Sequence, residues 1–194
     1  MSIKLPKPSH EDEGGKSLEE CIIKRESIRN FIDKNLDLRI ISQLFWAGQG
    51  IKVYKRTAPS AGAIYPLELY ALLKTKGFYH YNVGTHSLDL EIEDDISEDL
   101  AAAAWNQAFI SQAPLNIIIC ANYSKIQFRY GHDRGIRYAL IEVGHCAQNI
   151  HLQAVALGLG SVPIGAFKEK EIKKLLNLPE KLDPLYIIPI GYPK

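Results

Sequence analysis

Residues 135–158 have the sequence GIRYALIEVGHCAQNIHLQAVALG, which carries the strongest structural pattern in this chain. The apolar residues recur three or four positions apart: Ile136, Leu140, Val143, Ala147, Ile150, Ala154 and Leu157. This spacing predicts a long, largely buried helix. Gly158 can adopt the left-handed conformation that ends a helix, so we expect the helix to stop there.

Shorter patterns lie on both sides of this helix. Ser17 is a predicted N-cap for a helix reaching about Arg25, and further helices are predicted near residues 40–47, 101–110 and 168–176. Apolar or alternating runs predict strands at residues 67–75, 78–82, 86–92, 114–121 and 185–190. Because these elements do not alternate as regular βαβ units, we expect an α+β architecture.

The length and composition predict one domain. The chain has 194 residues, of which 46% are hydrophobic, and we assign residues 17–194 to a single folded unit. Residues 1–16 are polar, include the cluster His10-Glu11-Asp12-Glu13 and lack the apolar run of a signal peptide. We therefore expect a flexible N-terminal segment at residues 1–16.

Charge and cysteine content restrict the partners and the compartment. The 23 lysines and arginines balance 22 aspartates and glutamates, so no long-range field favours nucleic acid or an anionic membrane. No segment reaches membrane-spanning length. Cys21, Cys120 and Cys146 are widely separated in apolar surroundings, which predicts reduced thiols and a cytoplasmic location.

Two segments are candidates for ligand binding. Residues 25–29, RESIR, offer the guanidinium groups of Arg25 and Arg29 and the hydroxyl of Ser27, which together could bind a phosphate. A solvated, charged helix end is the alternative interpretation. Residues 57–66, TAPSAGAIYP, are small enough to let the backbone lie against a flat ligand, although an ordinary turn has the same composition.

The order of these motifs resembles the SagB-type branch of the nitroreductase superfamily. The resemblance rests on RESIR at 25–29, WAGQG at 46–50, PSAGAIYPLE at 59–68, EVGH at 142–145 and QNI at 148–150. It continues through GLG at 158–160, PIGAF at 163–167 and PIG at 189–191, and so covers nearly the whole chain after Ser17.

This resemblance implies a homodimer with a mainly antiparallel central sheet flanked by helices, and with the long central helix at the dimer interface. It also implies FMN at that interface, with the phosphate and ribityl chain held by Arg25, Ser27 and Arg29. The remaining cofactor residues implied are Pro59, Ser60, Ala61 and Gly62 from the partner subunit, Pro163, Ile164, Gly165 and Ala166 along the flavin ring, and Lys194.

The reaction implied is a ping-pong transfer between NAD(P)H and a small organic acceptor. SagB-type azoline dehydrogenases, which act on modified peptides, form the alternative, and they carry a Lys-Tyr pair where this chain has Arg129-Tyr130. An arginine stays protonated and is a poor proton acceptor, whereas Tyr130 is a candidate acid or base. Aromatic packing at the start of the long helix is the alternative for Tyr130, and a non-catalytic flavin-binding subunit of a modification complex is a third functional reading.

Three other motifs suggest a metal site, a dinucleotide site and a nucleophile, but their sequence context does not support these functions. Glu142 and His145 form a Glu-x-x-His pair, but a carboxylate-bridged metal site needs a second pair and the sequence has none, so no metal is expected. The GLG at 158–160 follows a helix rather than a strand, and a dinucleotide fingerprint must follow a strand. Ser60 has no strand-to-helix elbow around it, so it is not a predicted nucleophile.

Overall fold

The computed structural model describes residues 1–9 and 15–194, so the predicted acidic cluster at 10–13 lies outside the described residues. The helices are α1 Leu18–Lys24, α2 Leu38–Gln49, α3 Ser97–Ala103, α4 Phe109–Gln112, α5 Tyr123–Tyr130, α6 His132–Ala156 and α7 Glu169–Leu175. The strands are β1 Ser2–Lys4, β2 Ile51–Lys52, β3 Lys55–Arg56, β4 Leu67–Leu73, β5 Gly77–Asn82, β6 Ser87–Ile92, β7 Leu115–Ala121, β8 Gly160–Ser161 and β9 Asp183–Gly191.

A seven-stranded sheet forms the centre of the molecule. Its strand order is β1-β6-β5-β4-β7-β9-β8, and every pairing is antiparallel. Strand β7 lies between β4 and β9, and all seven of its residues are buried. The predicted α+β architecture with an antiparallel central sheet is therefore confirmed.

Helices cover both faces of this sheet because the side chains of each strand alternate between them. On one face, Leu69 of β4 belongs to a core that also contains Phe45 of α2 and Ile150 of α6. On the other face, Leu72 of the same strand packs in a second core with residues of α3 and α7. The candidate site described below is built mainly around the first face and the edge formed by β8 and β9.

Helix α6 is the long helix that the periodic sequence predicts. Ala139, Cys146, Ile150 and Ala154 are fully buried along it, and Gly158, with φ of 75°, follows its end as expected. The helix begins at His132, slightly earlier than its apolar pattern. No helix in the described part of the chain, α6 included, is long and apolar enough to cross a membrane.

The N-terminal expectation is wrong in part. Residues 1–16 were expected to be flexible, yet Ser2–Lys4 forms the edge strand β1, paired with residues 87–89 of β6. Leu5 follows it into the core and is only 4% exposed. The pairing provides hydrogen-bond partners for backbone groups at the edge of β6, and burial of Leu5 adds apolar contacts. A short segment that is mostly polar gives no sequence signal of either.

Two helix boundaries also differ from the pattern. The helix expected at 101–110 is split, because Trp105 and Asn106 adopt positive φ values of 61° and 58° between α3 and α4. Helix α5 was not predicted, since Ile126 is its one buried residue and its apolar periodicity is correspondingly weak. As a result, Tyr130 lies at the end of α5 and not at the start of the long helix.

Candidate functional site

The segment at residues 25–29 is an extended connection beyond the end of α1. Arg25 caps this helix with extended backbone angles, and Ser27 forms a parallel bridge with Ser161 of β8. The Ile28 N–H donates to the Ser161 carbonyl at 3.1 Å. Because a Cβ at Gly160 would lie 2.7 Å from Ile28, the close approach of this segment to β8 requires glycine at that position.

Lys194 lies at the far end of the same segment. Its backbone N–H donates to the carbonyl of Asn30 at 3.1 Å, and Phe31 forms a bridge with Pro193. Ser27, Arg29 and Lys194 are all exposed, while Arg25 is half-buried. The fold therefore gathers the cationic residues that the sequence singles out along one edge of the sheet.

Residues 163–166 follow β8 along this edge. Ile164 exchanges two backbone hydrogen bonds with Ile187 of β9, at 2.8 and 3.0 Å. Gly165 and Ala166 continue past this bridge and are exposed. Within the described residues, their N–H groups donate to no backbone carbonyl, so they are available to a ligand.

The loop at residues 59–62 lies beside the first half of α6 and is held by hydrogen bonds from its own sequence neighbours. The Ser60 hydroxyl accepts the Tyr65 N–H at 2.9 Å, and the Tyr65 hydroxyl accepts the Arg56 N–H at 3.2 Å. The Arg56 guanidinium also lies over the Tyr65 ring, 4.8 Å from its centroid. These contacts brace the loop.

The backbone is strained at the end of this loop and just after it. Gly62, Ala63 and Tyr65 have φ values of 61°, 54° and 54°, which lie in the left-handed region. For residues other than glycine this conformation costs about 1–2 kcal/mol each. Such residues persist only where the surroundings enforce them, and they cluster at ligand sites.

Tyr130 contacts this loop. A Cβ at Gly62 would lie 2.7 Å from the Tyr130 hydroxyl and 3.2 Å from Nη1 of Arg129. The Tyr130 ring packs edge-on against Tyr138 with centroids 5.0 Å apart. The structure thus brings together the candidate acid or base and the loop that the sequence assigns to the cofactor.

Glu142, which the sequence analysis considers only as half of a Glu-x-x-His pair, is a further candidate. Only 1% of the residue is exposed. It lines a cleft of about 270 Å³ together with Pro59, Ser60, Ala61, Tyr138, Ile141 and His145. Burial raises the pKa of Glu142 to about 6, and the Ser60 hydroxyl and the Gln49 amide partly offset this rise.

His145 lies on the exposed side of α6, away from the buried Glu142 side chain. Among the residues that the structure describes, no group of three His, Cys, Asp or Glu side chains could hold a metal ion. The Glu-x-x-His spacing is therefore not accompanied by a ligand cluster here.

His151 was also missed. Its Nδ1 and the Ser161 hydroxyl are hydrogen-bonded at 2.7 Å beneath the 25–29 segment. Burial, with a smaller contribution from the charge of Arg25, lowers the pKa of His151 to about 4. The imidazole is therefore neutral near pH 7 and supports β8 without adding charge.

The two parts of the candidate site face different turns of α6. Glu142 lies behind the 59–62 loop, whereas His151 lies behind Ser161, nine residues further on. Nine residues correspond to roughly 13 Å along a helix axis. In one chain, then, the loop and the 25–29 segment are separated along α6.

Comparison with known proteins identifies the family of this chain. The sequence model of the Nitroreductase family matches residues 22–192. The chain belongs to the nitroreductase family. A provisionally named nitroreductase from Methanocaldococcus jannaschii is 40% identical over 198 residues, which cover 98% of this chain and 96% of that protein.

A crystal structure from the nitroreductase family confirms the fold. A protein from Ralstonia eutropha superposes with a TM-score of 0.89 at 27% identity, covering all of this chain and 90% of its own. Nitroreductase-family membership confirms the coarser part of the resemblance stated above. The finer assignment to the SagB-type branch stays a prediction.

Two more distant relatives bear names of different kinds. An FMN reductase [NAD(P)H] from Bacillus subtilis is 34% identical over 118 residues, covering 54% of this chain and 46% of that protein. The microcin B17-processing protein of Escherichia coli is 25% identical over 166 residues, covering 78% of this chain and 61% of that protein. Nitroreductase-family membership and the first of these similarities support the FMN cofactor that the sequence predicts.

The residues present suit that cofactor. Guanidinium groups at Arg25 and Arg29, a hydroxyl at Ser27 and an ammonium group at Lys194 are the donors that a phosphate prefers. The unpaired amides following Ile164 can donate to the acceptor atoms of a flavin ring. These donors, together with the close approach of the 25–29 segment that glycine at position 160 allows, fit an FMN site at this edge of the sheet.

Proposed function

We propose that this protein is an FMN-dependent oxidoreductase that works as a homodimer and transfers electrons between NAD(P)H and a small organic acceptor. One observation carries the proposal. The Arg25, Ser27 and Arg29 segment, the 163–166 loop and Lys194, which are distant in sequence, lie along one edge of the sheet at β8 and β9.

Each part of this edge has a role in the proposal. Arg25, Ser27, Arg29 and Lys194 bind the phosphate and orient the ribityl chain. The amides of Gly165 and Ala166 donate hydrogen bonds to the pyrimidine edge of the ring, where they stabilise negative charge. FMN, when bound, supplies the hydride and electron chemistry, so no side-chain nucleophile is needed.

Exposed apolar residues support the homodimer. Ile22 and Ile23 of α1 are 56% and 82% exposed, and Leu140 and Ile141 of α6 are 49% and 51% exposed. Helix α1 packs against α6, and exposed apolar side chains on both of these helices favour an interface here. A second copy covering α1 and α6 would bring its own 59–62 loop toward the first chain's phosphate-binding edge, which accounts for the separation of these segments within one chain.

An azoline dehydrogenase acting on a modified peptide is the second candidate. The similarity to the microcin B17-processing protein favours it, as does the Tyr130 hydroxyl beside Gly62. In that reaction Tyr130 would accept the acidic ring proton, because Arg129 stays protonated. Free, buried thiols at Cys21, Cys120 and Cys146 support the proposed reducing, cytoplasmic setting for either activity.

The test begins with the absorbance spectrum of the purified protein and identification of the released chromophore. An anaerobic titration then distinguishes the reactions. Bleaching by NADH or NADPH supports the leading proposal, whereas bleaching by a thiazoline or oxazoline peptide supports the second candidate. Bound flavin that neither donor reduces favours a non-catalytic flavin-binding subunit, and a colourless monomer that takes up no FMN overturns the proposal.

A further inference from the structure

A second cleft lies on the face of the sheet that α3 and α7 cover. Its volume is about 350 Å³, within the range of ~300–1,000 Å³ that is usual for small-molecule sites. One side of the cleft carries polar residues of β4, β5 and β6, and the other side is the loop that follows α7. The cleft shares no lining residue with the proposed flavin edge, and β7 and β9 separate β4 from β8 in the strand order.

Three polar side chains of this cleft are paired with one another. The Glu68 carboxylate accepts a hydrogen bond from Lys125 at 2.6 Å on one oxygen and contacts His80 Nε2 at 3.1 Å through the other. Burial alone would raise the pKa of Glu68, but these two hydrogen bonds outweigh it and lower the pKa to about 2. Glu68 is therefore ionised near pH 7, and the charge of Lys125 compensates it.

Four further polar groups of the cleft are left without partners by the chain. Asn122 precedes α5 and is only 5% exposed, yet its Oδ1 is buried with no hydrogen-bond partner among the described residues. The Tyr70 hydroxyl forms no hydrogen bond to this part of the chain either, and Glu91 and Lys181 are exposed and form no ion pair within it. An unpaired buried amide oxygen costs free energy unless something from outside the chain provides a donor.

The unpaired groups suit a zwitterion. The Glu91 carboxylate and Asn122 Oδ1 are acceptors for an ammonium group, whereas the Lys181 ammonium and the Tyr70 hydroxyl are donors for a carboxylate. Burial raises the pKa of Tyr70, so its hydroxyl keeps its proton near pH 7. One negative and one positive charge remain once Glu68 is compensated, and the cleft therefore favours a ligand with one charge of each sign.

The opposite side of the cleft is apolar. Leu176, Leu178 and Leu182 line it and are 2%, 8% and 4% exposed. An apolar group of a ligand that contacts these side chains is removed from water, which favours binding. The cleft thus combines a zwitterion-binding side with an apolar side.

We propose that this cleft binds a free amino acid with an apolar side chain through the four polar groups that the chain leaves unpaired. The ammonium group contacts Glu91 and Asn122, and the carboxylate contacts Lys181 and Tyr70. The side chain packs against the leucines that follow α7. This site does not depend on the proposed function, because none of its residues is assigned to the flavin.

Saturation-transfer NMR of L-leucine with the purified protein tests the assignment. We expect saturable binding with a dissociation constant of about 1 mM or lower. N-acetyl-L-leucine lacks the ammonium group and L-leucinamide lacks the carboxylate, so each should bind about tenfold more weakly or worse. Equal binding of all three compounds contradicts the recognition of a zwitterion.

Substitutions at the rim of the cleft locate the ligand. Glu91→Gln and Lys181→Gln should each weaken L-leucine binding about tenfold, because each removes one charge-assisted hydrogen bond from an exposed position. Tyr70→Phe should weaken it about threefold to tenfold through loss of a neutral donor. Glu93→Gln and Lys174→Gln change exposed residues outside the cleft, and these matched controls should keep the wild-type affinity.

Two results overturn the proposal directly. The first is no saturable binding of L-leucine up to about 10 mM, and the second is unchanged affinity in both Glu91→Gln and Lys181→Gln. Displacement of L-leucine by FMN would locate the ligand at the β8–β9 edge and would also overturn the assignment. Failure of the protein to bind FMN, with L-leucine binding as expected, refutes the proposed function and leaves the amino-acid site intact.

Discussion

Replacement of Gly62 by alanine tests the geometry of the 59–62 loop most directly. Gly62 has φ of 61°, and a Cβ there would lie 2.7 Å from the Tyr130 hydroxyl and 3.2 Å from Arg129 Nη1. The left-handed conformation costs alanine about 1–2 kcal/mol. The close contacts involve the ends of flexible side chains, so rotamer adjustment should add only about 0.5–1.5 kcal/mol.

We therefore expect Gly62→Ala to lower the free energy of unfolding by about 1.5–3.5 kcal/mol. Chemical denaturation at fixed protein and FMN concentrations measures this change, because ligand and oligomer equilibria otherwise shift the apparent stability. Gly84→Ala, where the nearest atom to the new Cβ is 3.5 Å away, is the control and should change the stability by less than about 0.5 kcal/mol.

The two contributions can be separated with Tyr130→Phe, which removes the hydroxyl at 2.7 Å. In that background Gly62→Ala should cost less, because the contact is relieved, but the backbone part should remain. A cost for Gly62→Ala within experimental error of the control refutes the described loop conformation. Complete recovery in the Tyr130→Phe background refutes the assignment of most of the cost to the backbone.

Three further predictions concern the cofactor, the dimer and pH. Arg29→Gln should weaken FMN binding about tenfold or more through loss of charge-assisted hydrogen bonds, while riboflavin, which lacks the phosphate, should bind with unchanged affinity. An equal loss of riboflavin affinity contradicts the phosphate role. Arg39→Gln is the control. Leu140→Arg should produce monomers in analytical ultracentrifugation, whereas the exposed Ile32→Arg should not, and an unchanged dimer excludes this face as the interface. Since the pKa of His151 falls from its ordinary 6.5 to about 4 in the folded state, the unfolded chain takes up the proton first. The free energy of unfolding should therefore decrease by up to about 3 kcal/mol as the pH falls from 6.5 to about 4. His151→Asn should remove that part of the pH dependence in denaturation curves. An identical pH dependence in the wild type and the variant contradicts this prediction.

Local sequence patterns predict the helices and strands whose conformation depends on residues adjacent in the sequence. Helix α6 follows from its apolar period, and β7 follows from the continuous run Leu-Asn-Ile-Ile-Ile-Cys, because burial on both faces requires it. Strand β1 does not follow, since its partner β6 lies more than eighty residues away and three residues carry no period of their own. Similarly, the apolar spacing of residues 101–110 contains nothing that signals the left-handed angles at Trp105 and Asn106.

The candidate site shows the same division. Arg25, Ser27 and Arg29 stand out in the sequence because charge and spacing are visible there. Glu142 and His151 do not, because their significance depends on burial against Ser60 and Ser161, which approach α6 from distant parts of the chain. The signal available was an acidic residue and a histidine on the otherwise apolar buried stripe of α6, where uncompensated polar groups are rare.

The bridge between Ser27 and Ser161, together with the pairing of Asn30 and Lys194, also has a consequence for biosynthesis. The early residues of this edge can acquire their neighbours only after the final strand has been made, because those neighbours belong to β8, β9 and the residues just beyond them. A growing polypeptide would therefore hold the proposed phosphate-binding edge incomplete until residues 190–194 have left the ribosome. We therefore expect removal of residues 192–194 to impair FMN binding more than it impairs the rest of the fold, since their contacts are with Asn30, Phe31 and Ile32 at this edge.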